Sequence, residues 1–143
     1  MSGRAFVDTN ILLYAHDIAA GPKHDTARAL VATLWLARWG VVSPQVLHEL
    51  AANFQRKIRR PLDGATTRDV VANYLAWEVR EGASTDVLAA LDLAARYQVS
   101  FWDALILHAA QAAGVDTLYS EDLSHGQVYS DVTVINPFVV ETP

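Results

Sequence analysis

The 143-residue sequence contains no cysteine, which excludes disulfide-linked scaffolds, cysteine zinc sites and thiol nucleophiles. No apolar run approaches the roughly 20 residues that a membrane span requires, so we expect no membrane contact. The first residues lack the pattern of a cleaved signal peptide, and we expect a cytoplasmic protein. Since 52% of the residues are hydrophobic, the composition favours one folded domain, 1–143, over a disordered chain.

Several nucleotide-binding and metal-binding motifs are also missing. Neither G-x-x-x-x-G-K-[ST] nor G-x-G-x-x-G occurs, so nucleotide-binding enzymes of these classes have no support. The pair His48-Glu49 does not form an H-E-x-x-H zinc motif, because residue 52 is not histidine. Receiver domains and haloacid-dehalogenase-like phosphatases depend on a downstream lysine, and the chain has only Lys23 and Lys57. This scarcity of lysine argues against both classes.

Basic residues are absent from the C-terminal third of the chain. The net charge is −5, and every lysine and arginine lies at or before Arg96. The acids beyond that point are Asp103, Asp116, Glu121, Asp122, Asp131 and Glu141. By charge alone such a chain is an unusual RNA binder, because phosphate contacts require cations. If several of these acids converge in the fold, a bound divalent cation would neutralise them.

Short β-branched strands alternate with helices along the sequence. Strands are predicted at 4–8, 41–42, 116–119 and 132–135, and helices at 9–16, 24–39, 43 to about 61, 66–80, 84–97 and 100–114. This order predicts an α/β fold with three α/β/α layers and a mostly parallel central sheet. Active sites of such sheets form at the carboxyl ends of the strands. Acidic residues follow two of the predicted strands directly.

Four acids are candidates for a site, although each has an ordinary structural explanation. Asp8 could cap the helix that follows it, and Asp103 could complete a capping box with Ser100. Glu49 could belong to a solvated helix face, and Asp122 could lie in a polar turn. Taken singly, these acids do not indicate a function.

Four short motifs, in order, resemble those of PIN-domain ribonucleases. They are FVDTNIL at 6–12, SPQVLHE at 43–49, SFWDALI at 100–106 and YSED at 119–122. The ending Asn-Pro-Phe at 136–138 also resembles the final strand of many toxin members. The resemblance spans the whole chain, and its length is similar to that of VapC-like toxins of type II toxin–antitoxin systems.

The resemblance implies an endoribonuclease that uses Mg²⁺ or Mn²⁺ to hydrolyse RNA phosphodiester bonds. Such ions activate water and stabilise negative charge when carboxylates hold them with open coordination positions. Asp8 and Asp103 would be direct ligands, and Glu49 and Asp122 would ligate the ion or hold waters around it. A catalytically inactive PIN-fold scaffold that binds RNA or protein is the alternative.

The resemblance also implies residues that support the acids. Thr9 and Asn10 would orient Asp8, and Ser120 would do the same near Asp122. Glu121 adjoins Asp122, and the sequence leaves open which of the two faces the site. The Ser-x-Asp spacing favours Asp122.

The remaining expectations concern partners. A VapB-like antitoxin and a homodimer are implied by the resemblance, with apolar helix faces in residues 24–60 partly at interfaces. Four clustered cations could position the RNA backbone or simply stabilise a helix C-terminus: Arg56, Lys57, Arg59 and Arg60. The tryptophans are predicted to be core or interface residues rather than base-stacking platforms: Trp35, Trp39, Trp77 and Trp102.

Overall fold

The computed structural model describes residues 3–56, 58 and 61–139. Strands and helices alternate along these residues. The elements are β1 Ala5–Val7, α1 Thr9–Ala15, a 3₁₀ turn Ile18–Ala20, α2 Pro22–Ala37, β2 Gly40–Val42, α3 Pro44–Phe54, α4 Gly64–Tyr74, β3 Glu78–Val79, α5 Asp86–Tyr97, α6 Phe101–Ala112, β4 Thr117–Tyr119, β5 Val128–Tyr129 and β6 Val132–Ile135. None of the helices in the described part of the chain is both long and apolar enough to cross a membrane.

The six strands form one sheet in the order β3-β2-β1-β4-β6-β5. All neighbouring pairs are parallel except β5 and β6, which pair antiparallel. Helices cover both faces of the sheet. The predicted three-layer α/β/α fold with a mostly parallel sheet is therefore confirmed.

The core lies around β1, which together with β4 forms the middle of the sheet. All three residues of β1 are buried, and so are all three residues of β2. Strands covered on both faces are continuously apolar, because neither face meets water. The largest fully buried side chains are Tyr74, Phe6, Phe54, Ile11, Leu12, Leu50, Leu107, Leu118, Val7, Val41, Val42 and Val46. A polar residue that follows β1 directly is thus held at the edge of a dry interior.

The helices at 43 and 100 begin where the sequence predicted, because their caps are local. The Ser43 hydroxyl accepts a hydrogen bond from the Val46 amide, and the Ser100 hydroxyl accepts one from the Asp103 amide. The start predicted at residue 24 is wrong: α2 begins at Pro22, whose missing N–H is harmless in a first helical turn.

Two helices end earlier in the structure than the sequence predicted. Helix α3 stops at Phe54, before the predicted end near residue 61, and Ile58 is buried from outside the helix. Helix α4 begins after Asp63, whose carboxylate accepts the Thr66 amide at 2.7 Å, so the predicted start at residue 66 is wrong. The same prediction extended this helix to residue 80, but residues 78–79 form β3 and pair with β2. Here sheet pairing outweighs helical periodicity.

Strand β5 was not predicted, because it is only two residues long and its turn contains no glycine. Ser130 and Asp131 both adopt left-handed backbone conformations, with φ values of 45° and 70°. The Tyr97 hydroxyl accepts a hydrogen bond from the Ser130 amide at 2.9 Å. This contact with α5 supports a turn that two non-glycine residues do not favour on their own.

Gly40 provides a test of the close packing beside the central strand. A Cβ added at Gly40 would overlap the ring of Trp77, which is itself buried. We expect Gly40→Ala to lower the free energy of unfolding by about 1–3 kcal/mol, because overpacking forces neighbouring side chains to shift. Urea denaturation monitored by circular dichroism would measure this change.

Gly64→Ala is the matched control. A Cβ at Gly64 would meet only Gln55 Nε2, at 3.8 Å, and alanine favours the helix that begins there. This variant should be neutral or slightly stabilising. Equal destabilisation of both variants would contradict the packing described for Trp77.

Candidate functional site

Asp8 lies directly after the central strand and is only 5% exposed. One carboxylate oxygen accepts the Thr9 amide at 2.7 Å, and the other accepts the Ser120 hydroxyl at 2.9 Å. Ser120 is fully buried and follows β4, which pairs in parallel with β1. Asp8 is the N-cap of α1, so the capping explanation from the sequence is correct as far as it goes. The contact with Ser120 is additional, because a cap does not require it.

Burial raises the pKa of Asp8 from 3.8 to about 7. This value is the net result of several effects. Burial is the largest, the hydrogen bonds from Ser120 and Thr9 act to lower the pKa, and the negative charges of Asp122 and Glu49 act to raise it. The carboxyl group is therefore substantially protonated near neutral pH as long as no cation balances its charge.

Glu49 lies in α3 and is half-buried, so it does not belong to a fully solvated face. One carboxylate oxygen accepts the Thr9 hydroxyl at 2.9 Å, and the other accepts the Gln45 amide group at 3.0 Å. Thr9 thus connects two acids, through its backbone to Asp8 and through its side chain to Glu49. Gln45 was missed by the sequence analysis, although its i, i+4 spacing from Glu49 on one helix was an available signal.

Asp122 lies beside Asn10, whose amide nitrogen is 3.3 and 3.5 Å from the two carboxylate oxygens. The Asp122 backbone amide donates to the Ser120 hydroxyl at 3.2 Å. Ser120 therefore does contact Asp122, as predicted, but at its backbone, and its hydroxyl also donates to Asp8. The Asn10 side chain lies beside Asp122, whereas it was predicted to support Asp8.

Glu121 has different partners from its neighbour. Its carboxylate accepts the Tyr14 hydroxyl and forms a salt bridge with Lys23 Nζ at 2.7 Å. Lys23 also lies over the rings of Tyr14 and Phe138, with its Nζ 5.0 and 5.3 Å from their centroids. The sequence left open which of these two acids faces the site. In the structure they have different neighbours: Asp122 lies beside Asn10, and Glu121 lies beside Lys23.

Asp103 lies in the first turn of α6 and is half-buried. Its backbone amide donates to the Ser100 hydroxyl at 3.1 Å, which is one half of the capping box proposed from sequence. Burial raises the pKa of Asp103, and the negative charge of Glu49 raises it further. Since Glu49 acts on both Asp8 and Asp103, and Asp122 acts on Asp8, the four acids form one electrostatic cluster.

This acidic cluster suits a divalent cation in kind but is not preassembled around one. In the described ranges, no group of three or more histidine, aspartate or glutamate side chains is arranged to hold a metal ion. The cluster nevertheless supplies carboxylate oxygens, the ligands that Mg²⁺ and Mn²⁺ prefer. A bound cation would offset the burial and, secondly, the mutual repulsion that raise the pKa of Asp8, and the side chains would have to move to bind it.

The predicted basic patch can be followed only at its first residue. Arg56 is exposed just beyond the end of α3. Lys57, Arg59 and Arg60 lie outside the described residues, so a role for this patch in RNA binding stays a prediction.

Comparison with known proteins identifies a family model and several similar folds. The family model described as "PIN domain" matches residues 5–130. No curated protein sequence matches the chain. A toxin–antitoxin complex from Klebsiella pneumoniae is 18% identical with a TM-score of 0.64, and the match covers 95% of this chain and 99% of that chain.

Two further solved structures are similar to the same extent. VapC20 of Mycobacterium tuberculosis, described as a toxin that cleaves the sarcin-ricin loop, is 20% identical with a TM-score of 0.62; the match covers 80% of this chain and 86% of that one. VapBC2 of Rickettsia felis, bound to a DNA fragment from its promoter, is 18% identical with a TM-score of 0.62; the match covers 91% and 96%. At these identities the similarity concerns the fold.

The raised pKa of Asp8 predicts a specific pH dependence of stability. Between pH 3.8 and about 7 the folded protein binds a proton at Asp8 that the unfolded chain has lost, so stability falls as pH rises through this range. Above it the buried carboxylate is ionised, at a cost of up to about 4 kcal/mol. We expect Asp8→Asn to be more stable than wild type at pH 8 in EDTA, and this advantage to shrink towards pH 4.

Urea denaturation across this pH range would measure the effect. Asp69→Asn, which removes the same charge from an exposed position on α4, is the control and should show no such pH-dependent advantage. If the difference between Asp8→Asn and wild type did not change with pH, the account of Asp8 given above would be wrong.

Proposed function

Because this chain belongs to the PIN-domain family, we propose that it is a divalent-metal-dependent endoribonuclease, the toxin of a toxin–antitoxin pair. The observation that carries the proposal is the buried Asp8 carboxylate, which lies within the electrostatic reach of Glu49 and Asp122. Fold stability alone would favour an apolar or amide side chain at such a position. A carboxylate there is useful if it binds a cation.

The proposed ligands divide into two pairs. Asp8 and Asp103 would hold the ion directly, and Glu49 and Asp122 would complete its coordination or hold its waters. When bound, Mg²⁺ or Mn²⁺ would polarise the phosphate and lower the pKa of the attacking water. The chain's own contribution is to give up the Asp8 proton to solvent when the cation binds and to keep the four carboxylates oriented around the ion.

Three neighbouring side chains would maintain that orientation. Ser120 fixes one oxygen of Asp8, the Thr9 hydroxyl fixes Glu49, and the Asn10 amide faces Asp122. Each donor lies where a strand ends or a helix begins at the carboxyl ends of the strands, so the acids would stay near one another while their side chains move to bind the ion. Residues around metal ligands commonly orient them in this way.

Partners are proposed on the basis of the fold and of exposed apolar surface. The similar structures from Klebsiella pneumoniae and Rickettsia felis are toxin–antitoxin complexes. In this chain α2 and its C-terminal end expose Trp35, Leu36 and Trp39, at 37%, 88% and 44%. Exposed apolar side chains clustered in this way mark protein interfaces. They support a VapB-like antitoxin and a second copy of the chain as partners, and an RNA substrate would place the activity in the cytoplasm.

Substitution of the two direct ligands tests the proposed reaction. Asp8→Asn and Asp103→Asn should each reduce cleavage of single-stranded RNA by about 100-fold or more while leaving the circular dichroism spectrum unchanged. EDTA should abolish wild-type cleavage, and Mg²⁺ or Mn²⁺ should restore it. Isothermal titration calorimetry should detect metal binding to wild type and much weaker binding to Asp8→Asn.

Asp69→Asn serves again as the control, since it removes an acid outside the cluster. Wild-type protein that neither cleaves RNA nor binds these metals would support the inactive scaffold instead. Undiminished cleavage by Asp103→Asn would show that the reaction occurs elsewhere.

The toxin role is tested separately, in cells. Induced expression of the wild-type chain should arrest growth of a bacterial host, whereas Asp8→Asn should not, at equal protein levels on an immunoblot. Co-expression of a short protein encoded next to it should restore growth. Growth that is unaffected by a cleavage-competent protein would separate the nuclease from the toxin proposal.

A further inference from the structure

An open cavity of about 870 Å³ lies between the start of α3, helix α6 and the loop at residues 80–87. Glu49 is part of its lining, so the cavity opens directly beside the acidic cluster. Its volume falls within the ~300–1,000 Å³ typical of small-molecule and cofactor sites. The proposed reaction at the acids does not by itself account for this space.

Trp102 supplies a flat aromatic surface in the cavity. Its side chain lines the cavity and is 63% exposed, and it adjoins Asp103 in the first turn of α6. The neighbouring Phe101 ring contacts it edge-on, with centroids 5.3 Å apart. By contrast, Trp77 is 8% exposed and belongs to the core. Trp102 therefore does not belong to the hydrophobic core. Its ring borders the cavity, where a planar group could stack on it.

An aspartate–histidine pair supplies oriented polar atoms in the same cavity. Asp86 accepts the Ala83 amide at 2.8 Å and His108 Nε2 at 2.9 Å. The Ala83 amide, and secondly His108, hold the pKa of Asp86 below its ordinary value, so the pair keeps its carboxylate ionised. Because Nε2 of His108 is engaged with Asp86, Nδ1 is the ring nitrogen that a ligand in the cavity can address.

The charges of the cavity indicate how an RNA ligand would be bound. Among the described residues that line it, Arg80 is the only lysine or arginine, and Glu49, Glu81 and Asp86 are acidic. Phosphate neutralisation therefore supplies little of the affinity at this surface. Stacking and hydrogen bonding to a base do not depend on positive charge, and sequence-specific proteins read RNA chiefly through unpaired bases bound in this way.

We propose that this cavity binds an unpaired nucleobase of the RNA substrate, stacked on Trp102 and hydrogen-bonded by His108, adjacent to the phosphate held at the acidic cluster. The inference rests on the proposed nuclease function and deepens it, because it assigns the residues that would recognise a base next to the cleaved phosphate. Arg80 would make the single phosphate contact that the cavity offers.

The test measures binding without cleavage. Asp8→Asn protein in EDTA is titrated into fluorescein-labelled RNA hexamers at low salt, with fluorescence anisotropy as the readout. Adding Trp102→Ala should weaken binding about 5- to 100-fold, the range expected for loss of one stacked base. Adding Leu75→Ala is the matched control, because it removes an apolar side chain of similar exposure (61%) that does not line the cavity, and it should leave affinity unchanged.

Two further readouts separate base recognition from general attraction. Affinity for hexamers should fall only slightly with salt, with a log–log slope of about −0.7, as expected for one phosphate contact on a single strand. A duplex of the same length should bind much more weakly. Adding His108→Ala should change the ranking of adenine, cytosine, guanine and uracil hexamers, with Trp102 still present.

Several outcomes would overturn the inference. Equal binding by the Trp102→Ala and Leu75→Ala proteins would exclude stacking on Trp102, and equal binding of duplex would exclude an unpaired base. If Trp102→Ala changed a dimer into a monomer in sedimentation velocity and left RNA affinity unchanged, the cavity would be an interface with a second copy.

The proposed function fails in a different way. Trp102-dependent binding by Asp8→Asn, together with a wild-type protein that cleaves no RNA, would leave the base site standing and remove the nuclease. If wild-type protein cleaves RNA but Trp102→Ala does not weaken RNA binding, only the proposed base site would be rejected.

Discussion

The rest of the site depends on a carboxylate that the fold keeps away from water. Asp8 follows a strand whose three residues are all buried, so bulk solvent cannot balance its charge. Two hydrogen bonds stabilise the carboxylate. One comes from the Thr9 backbone amide, and the other comes from the hydroxyl of Ser120, which follows the neighbouring strand β4. Two other acids act against these donors and raise the pKa of Asp8. The folded molecule is therefore more stable with a proton or a cation at this point, and the neighbouring donors partly compensate when neither is present.

Much of this arrangement could be predicted, because its determinants are local in sequence. The apolar run before Asp8 defines a buried strand, and the serines at 43 and 100 cap the helices that carry Glu49 and Asp103. Parallel strands bring their carboxyl ends to one edge, so the acids that follow strands were expected to meet. The resemblance to PIN domains added their order along the chain. The family match over residues 5–130 and the three-layer fold confirm the predicted family and fold.

What could not be predicted depends on contacts between distant parts of the chain. The periodicity of residues 66–80 is helical throughout, yet its last part becomes a strand because β2 offers it an edge. The hydrogen bond from Ser120 to Asp8 similarly depends on the pairing of β1 with β4, which no local pattern encodes. Glu121 is drawn towards Lys23, 98 residues earlier in the chain. In each instance the deciding neighbour is far away in sequence.

The strand order has a consequence for the timing of synthesis. β1 is made first but pairs with β4, and the Ser120 hydroxyl that holds Asp8 is 112 residues away along the chain. Asp122 follows later still. A ribosome that makes this chain must therefore translate it through Asp122 before the four acids can assemble. A shorter nascent chain cannot form the acidic cluster, so anything that needs all four acids waits for the last of them.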